Sequence, residues 1–312
     1  MEFKITRDEE YIVGLKSVLS EKYGLEIAGI EEGERGAEGE TWLVNLANLE
    51  KVFVKIGYMK RHIERLKKSV ECMDYMESKG VQNINKALKT TDAKSYIEFN
   101  DGVLVVFEYI DGEIDFNIPY TRVMENLLKV YKIGDNDIIQ REDFNVALLV
   151  EELNKAIETA NDKDDELKEV LEKHATEIKD DINKFVSLKD KIDENTNKYI
   201  THGDCCVNVM QASEGDFIID WDEALMAPIE RDCWFFMNFE SKIDDINNIL
   251  QENGIDYKLS DAMLLFYAYK SFVIYLTDDI YKYIELKDKD ILSDIEDLFS
   301  GWVRLRIDAA RI

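Results

Sequence analysis

Residues 199–236 read YITHGDCCVNVMQASEGDFIIDWDEALMAPIERDCWFF, and the rest of the chain takes its meaning from this stretch. A short apolar approach runs into His202-Gly203-Asp204, Asn208 follows, MQASEGDFII has the form of a hairpin, and Asp220-Trp221-Asp222 closes it. Polar residues thus interrupt an apolar run twice, at the same ends of two neighbouring strands. Two carboxylates and an amide converge there. Such a set suits phosphoryl transfer from a metal-bound nucleotide, in which one carboxylate positions the attacking hydroxyl and others hold magnesium. Taken alone, an HGD turn is an ordinary loop feature, so the order of the surrounding parts has to decide.

Toward the N-terminus, EIAGI, the glycine-bearing EEGERGAEGE, TWLVNL and KVFVKI predict strand, loop, strand, turn and strand. Before them, apolar Tyr11, Ile12, Leu15, Val18 and Leu19 predict a helix over 8–23, with Gly24 as its cap. After them, a helix is expected from about Lys60 to Ser78, ended by Gly80. SYIEF and VLVVFEYI, joined at Asn100-Asp101-Gly102, form a predicted hairpin, and the small lobe closes near Tyr109. Beyond Asp111-Gly112 the pattern turns helical, over 121–133, about 40 residues around 146–192, and 260–285. The charged stretch 161–198 reads as a solvated helical pair. The expected domains are 1–110, binding nucleotide, and 111–312, catalytic and helical.

Composition narrows the partners. With 39 basic and 66 acidic residues the net charge is −27, which repels phosphate backbones and anionic lipid and disfavours nucleic acid as a partner. No apolar run reaches the roughly 20 residues a membrane-spanning helix needs. MEFKITRDEEY lacks the features of a secretory signal, so a cytoplasmic location with no membrane and no obligate protein partner is expected. Cys72, Cys205, Cys206 and Cys233 have no paired C-x-x-C spacing, so reduced thiols are expected.

A glycine loop, a lysine in a strand, a glutamate-bearing helix, a hairpin ending in a hinge, and then HGD…N…D resembles the aminoglycoside phosphotransferases, relatives of the protein kinases. IIDWDEALMAPIERD is similar to the spectinomycin phosphotransferase branch, with its D-W-D-E run and P-x-E-R-D turn. The resemblance implies an α+β, two-lobed protein-kinase-like fold, with a small N-terminal β-sheet lobe and a larger, mostly helical C-terminal lobe. It implies that Asp204 is the catalytic base and that Asp220 and Asn208 hold Mg2+. The family places four residues between that Asp and Asn, whereas this chain has three, so either a tighter loop still brings Asn208 to the metal or water takes its place.

By the same resemblance the loop Gly36, Ala37, Glu38, Gly39 and Thr41 cradles phosphates through backbone amides, and Glu108, Tyr109 and Ile110 offer main-chain groups to the base of ATP or GTP. Lys55, in an apolar strand, needs a partner. Phosphates and a helix glutamate are expected, Glu71 in preference to Glu64, although a lysine can also snorkel to the surface. His202 braces the loop through backbone hydrogen bonds. Asp222 either contacts metal or substrate or balances Arg231, with Glu223 beside it, and Asp232 is expected to stabilise the start of a following helix. Trp221, Trp234 and Phe235 read either as core or as a stacking surface for a sugar. The implied substrate is a cationic aminoglycoside or aminocyclitol. A kinase for choline, a sugar or another metabolite, or a nucleotide-binding pseudokinase, carries the same motifs.

Overall fold

The computed structural model describes residues 7–33, 39–115, 117–237 and 242–309. The predicted Gly36, Ala37 and Glu38 lie outside the described residues. The chain forms two compact units, one of the described residues up to Arg141 together with Tyr199–Met226, the other of Glu142–Lys198 together with the residues from Ala227 onward.

The first unit opens with α1 (Glu9–Tyr23), whose N-terminus is capped by Asp8 accepting from Tyr11 N at 2.9 Å and whose C-terminus turns at Gly24, φ +68°. Strands β1 (Ile27–Glu32), β2 (Gly39–Leu46) and β3 (Lys51–Gly57) follow, then α2 (Lys60–Ser78), β4 (Ile97–Phe99) and β5 (Gly102–Glu108). The five strands form one antiparallel sheet in the order β1-β2-β3-β5-β4. Asn100 and Asp101 both have positive φ, +46° and +63°, which matches the twist of a two-residue hairpin turn between β4 and β5.

Strict alternation gives the sheet two different faces. Trp42, Val44, Val52, Val54, Ile56, Leu104 and Val106 bury one face against Tyr11, Leu15 and Leu19 of α1. Each such side chain contributes about 1.5–3 kcal/mol when removed from water. Thr41 and Lys55 are cross-strand partners on the other face, as are Leu43 and Phe53, and Phe53 and Phe107. Glu40 goes with the buried face. Its carboxylate accepts from Tyr11 Oη at 2.8 Å and Trp42 Nε1 at 3.0 Å, and is thereby turned away from the face that carries Lys55.

Next come β6 (Gly112–Ile114) and α3 (Tyr120–Tyr131). The second unit starts with α4 (Val146–Lys163), α5 (Asp165–Lys173) and α6 (Ala175–Lys189). The expected long helical stretch is therefore three helices. The first break falls at Asp164, whose side chain accepts from Leu167 N at 2.8 Å and so caps α5. The segment is less solvated than its charge suggests, with Leu153, Leu171 and Phe185 at 0–3% exposure.

Returning to the first unit, β7 (Tyr199–Thr201) leads through the HGD turn to the hairpin β8 (Val209–Ala212) and β9 (Gly215–Ile218), and then to β10 (Leu225–Ala227). β8 lies between β6 and β9, and β7 pairs with β10. The second unit ends with α7 (Glu230–Cys233), α8 (Lys242–Glu252), α9 (Asp261–Leu286), α10 (Lys289–Asp297) and α11 (Trp302–Ala309). α9 is its axis, burying Phe266, Tyr269, Phe272 and Leu276. Asp232 lies inside α7 and does not cap it. Glu230 supports this region instead, accepting from Tyr257 Oη at 2.6 Å and Ser260 N at 2.7 Å. No described helix is long and apolar enough to cross a membrane.

Candidate active site

The site is built from two strand ends joined by one backbone bond: Ile219 N donates to Asn208 O at 2.9 Å, which places the turn after β7 beside the turn after β9. In the first turn His202 is fully buried. Its Nε2 donates to Ile219 O at 2.8 Å and its Nδ1 accepts from Asp204 N at 3.1 Å, so the imidazole braces the loop. Gly203 has φ +90°, a conformation an L-residue adopts only under strain. Replacing Gly203 with Ala is expected to lower stability by about 1–2 kcal/mol, read from urea unfolding curves.

The shortened spacing is absorbed by a 3-10 turn, Cys205–Val207. Asn208 then folds back, its Nδ2 donating to Asp204 O at 2.8 Å and to Asp204 Oδ2 at 3.2 Å. This orientation leaves Asn208 Oδ1 as a hard oxygen donor beside Asp204. Burial pushes the Asp204 carboxyl above its usual range; the Asp220 and Glu223 charges add to this, while His202 and the Asn208 amide oppose it.

In the second turn Asp220 adopts a left-handed backbone, φ +61° and ψ +61°, at the head of the 3-10 turn Trp221–Glu223. Trp221 is fully buried, with Nε1 donating to Ile218 O at 3.0 Å and its ring edge-on to His202 at 4.8 Å. It is core, and the stacking alternative for Trp221 is withdrawn because no face of the ring is exposed. Trp234 and Phe235, at 1% and 4% exposure, are buried likewise.

Lys55 reaches this turn directly. Its Nζ donates to Asp220 Oδ1 at 2.8 Å and Asp222 Oδ2 at 2.7 Å. Burial would lower its pKa, but the two carboxylates outweigh that and raise it. Burial alone would likewise raise Asp222, yet His62 and Lys55 hold it well below the usual carboxylate range. The expected partner Glu71 is not brought to Lys55. It is exposed on α2 and lines a surface cleft with Lys68 and Arg141. From α2 come two residues the sequence reading did not single out: His62 Nε2 lies 3.5 Å from Asp222 Oδ2, and Arg65 Nη1 lies 2.8 Å from Glu223 Oε1.

At the end of β5, Glu108 N donates to Lys86 O at 2.9 Å, so its N–H is taken, and Tyr109 and Ile110 follow directly after the strand. Among the described residues no group of three or more His, Cys, Asp or Glu is arranged to hold a metal ion. A magnesium site has no need of one, because this ion is usually held by one or two carboxylates, water and substrate phosphates. Asp220, 45% exposed, and the Asn208 Oδ1 fit that kind of site.

Residues 29–261 match the family model described as the phosphotransferase enzyme family, APH. The chain belongs to that family. As a phosphotransferase it has the N-terminal antiparallel sheet and helical C-terminal part of the kinase-like aminoglycoside phosphotransferases. It is similar to spectinomycin phosphotransferase APH(9)-Ia, solved with ADP and spectinomycin, at a TM-score of 0.75 and 18% identity over 96% of this chain and 98% of the other. It is similar also to an aminoglycoside phosphotransferase from Alicyclobacillus acidocaldarius (TM-score 0.63, 14% identity, covering 95% and 94%). A third similar structure is the amicoumacin kinase hAmiN, solved with AMP-PNP, Ca2+ and Ami (TM-score 0.58, 13% identity, covering 98% and 94%). No curated protein matches the sequence significantly.

Proposed function

We propose that this phosphotransferase moves the terminal phosphoryl of ATP or GTP to a hydroxyl of an aminoglycoside or aminocyclitol antibiotic, and so confers resistance. The observation that carries the reading is the convergence of Lys55 with Asp220, on a turn tied by backbone to the Asp204–Asn208 loop. In this reading Asp204 aligns the substrate hydroxyl and accepts its proton late in a loose transition state. Its raised pKa brings it nearer the working range of a base.

Lys55 turns to the nucleotide phosphates, Thr41 and Gly39 offer groups to them from the start of β2, and Asn208 and Asp220 would hold Mg2+ by oxygen. When bound, the metal neutralises charge on the phosphates. The net charge of −27 attracts a polyamine-bearing substrate, and the similarity to a phosphotransferase solved with spectinomycin supports an aminocyclitol. Similarity to amicoumacin kinase supports a second reading, a kinase for a different small molecule on the same machinery.

A coupled assay of nucleotide consumption over spectinomycin, kanamycin-like and gentamicin-like aminoglycosides and choline separates these readings. Mg2+-dependent turnover with an aminocyclitol or aminoglycoside is the expected result. Turnover with choline alone supports the second reading, and no consumption with any compound overturns the first.

A further inference from the structure

His62 takes none of the roles above, yet three elements meet at its ring. It lies in the first turn of α2 and is 6% exposed. Gly39 and Gly57, partners in the β2–β3 pairing, form a slot for it: a Cβ on Gly39 would lie 2.7 Å from His62 Cε1, and one on Gly57 would lie 3.1 Å from Nδ1. A Cβ on Gly39 would also meet Ile56 O at 2.3 Å, so backbone and ring together require glycine there, while one on Gly57 would crowd the ring. From the slot, Nε2 points to Asp222 Oδ2 at 3.5 Å, the same oxygen that accepts from Lys55.

This shared oxygen poses a physical problem for nucleotide binding. Lys55 is held by two carboxylates, and turning its ammonium toward phosphates weakens its bond to Asp222. The Asp222 side chain is only 17% exposed, so water replaces a lost partner poorly. We propose that His62 is a positioning residue for nucleotide binding: seated on the Gly39–Gly57 pair, it keeps an N–H donor on Asp222 so that Lys55 is released to the phosphates. His62 thereby supplies the link between α2 and the Lys55 cluster that was expected from Glu71. The inference rests on the proposed nucleotide role of Lys55 and adds to it the residue that makes that role affordable.

Two substitutions separate donor from wedge. His62→Gln keeps an N–H near the Nε2 position but fills the slot poorly, whereas His62→Phe fills the slot with a ring and has no donor. Binding of MgADP is measured by calorimetry on the full chain, alongside thermal unfolding. The expected result is that His62→Gln binds within about threefold of wild type, while His62→Phe binds at least about tenfold more weakly, roughly 1.4 kcal/mol, although it melts no lower than His62→Gln. Equal affinity of wild type and His62→Phe, or a His62→Gln protein as weak as His62→Phe, overturns the role of His62 and leaves the nucleotide reading standing. Failure of the wild type itself to bind MgADP overturns the nucleotide reading, and this inference with it.

Discussion

Replacing Asp204 with Asn is expected to lower kcat by about three orders of magnitude while MgADP affinity stays within about threefold. An amide oxygen still aligns a hydroxyl and still accepts from Asn208, but it takes no proton. The same substitution is expected to raise the melting temperature. Because burial raises the Asp204 pKa in the folded protein, the folded state binds the extra proton between the unfolded and folded values, and stability falls as pH rises through the folded value. The neutral amide removes that penalty, so the variant is expected to melt above wild type at neutral pH, as thermal unfolding would read. Wild-type turnover, in contrast, should fall on acidification through a value above that of an ordinary aspartate. Unchanged kcat in the Asn variant would falsify the assignment of the base.

Lys55→Met is expected to abolish nucleotide-dependent transfer and to destabilise the apo protein by about 3 kcal/mol, the low end for breaking a buried pair, since Lys55 and Asp222 retain 18% and 17% exposure. The loss has a pH signature. Asp222 titrates below the ordinary range in the folded protein, so its pairing contributes fully above about pH 4, the unfolded value, and is lost as pH falls through the folded value. Lys55 has a raised pKa, so its contribution is complete below about pH 10.4 and is lost only as pH rises through the folded value. The stability gap between wild type and Lys55→Met is therefore widest across neutral pH and narrows in acid. Urea unfolding at pH 7 and pH 3 measures it; a gap equal at both values contradicts the ion-pair account.

Much of this arrangement is legible from residue order. The alternation in TWLVNL and KVFVKI places Thr41 and Lys55 on one face because side chains in a strand repeat every two residues, and the structure pairs them across β2 and β3. Asn100-Asp101 announces its turn through backbone tolerance of positive φ. What the order of residues does not carry is the rotation of α2 about its own axis. Glu64 and Glu71 satisfy the spacing for a partner of Lys55, yet the helix presents His62 and Arg65 to the carboxylates instead. A signal for His62 was present in Gly39 and Gly57, two missing side chains on adjacent strands, but it becomes readable only once register is known. The short Asp204–Asn208 loop was ambiguous for a related reason: a 3-10 turn and an extended loop accommodate three residues equally well in one dimension, and the neighbouring strand end, bonded through Ile219, selects the first.

The left-handed backbone at Asp220 has a consequence for how this gene can drift. Two filters act on one codon. Conformation admits glycine, asparagine and aspartate at little cost and penalises branched or bulky residues. The metal-holding role proposed for Asp220 asks for an anionic oxygen, which glycine and asparagine do not provide. The intersection holds a single amino acid, so the allowed neighbourhood around this position is narrower than around Lys55, whose backbone is that of a regular strand, and its loss cannot be repaired by a second change in the same side chain.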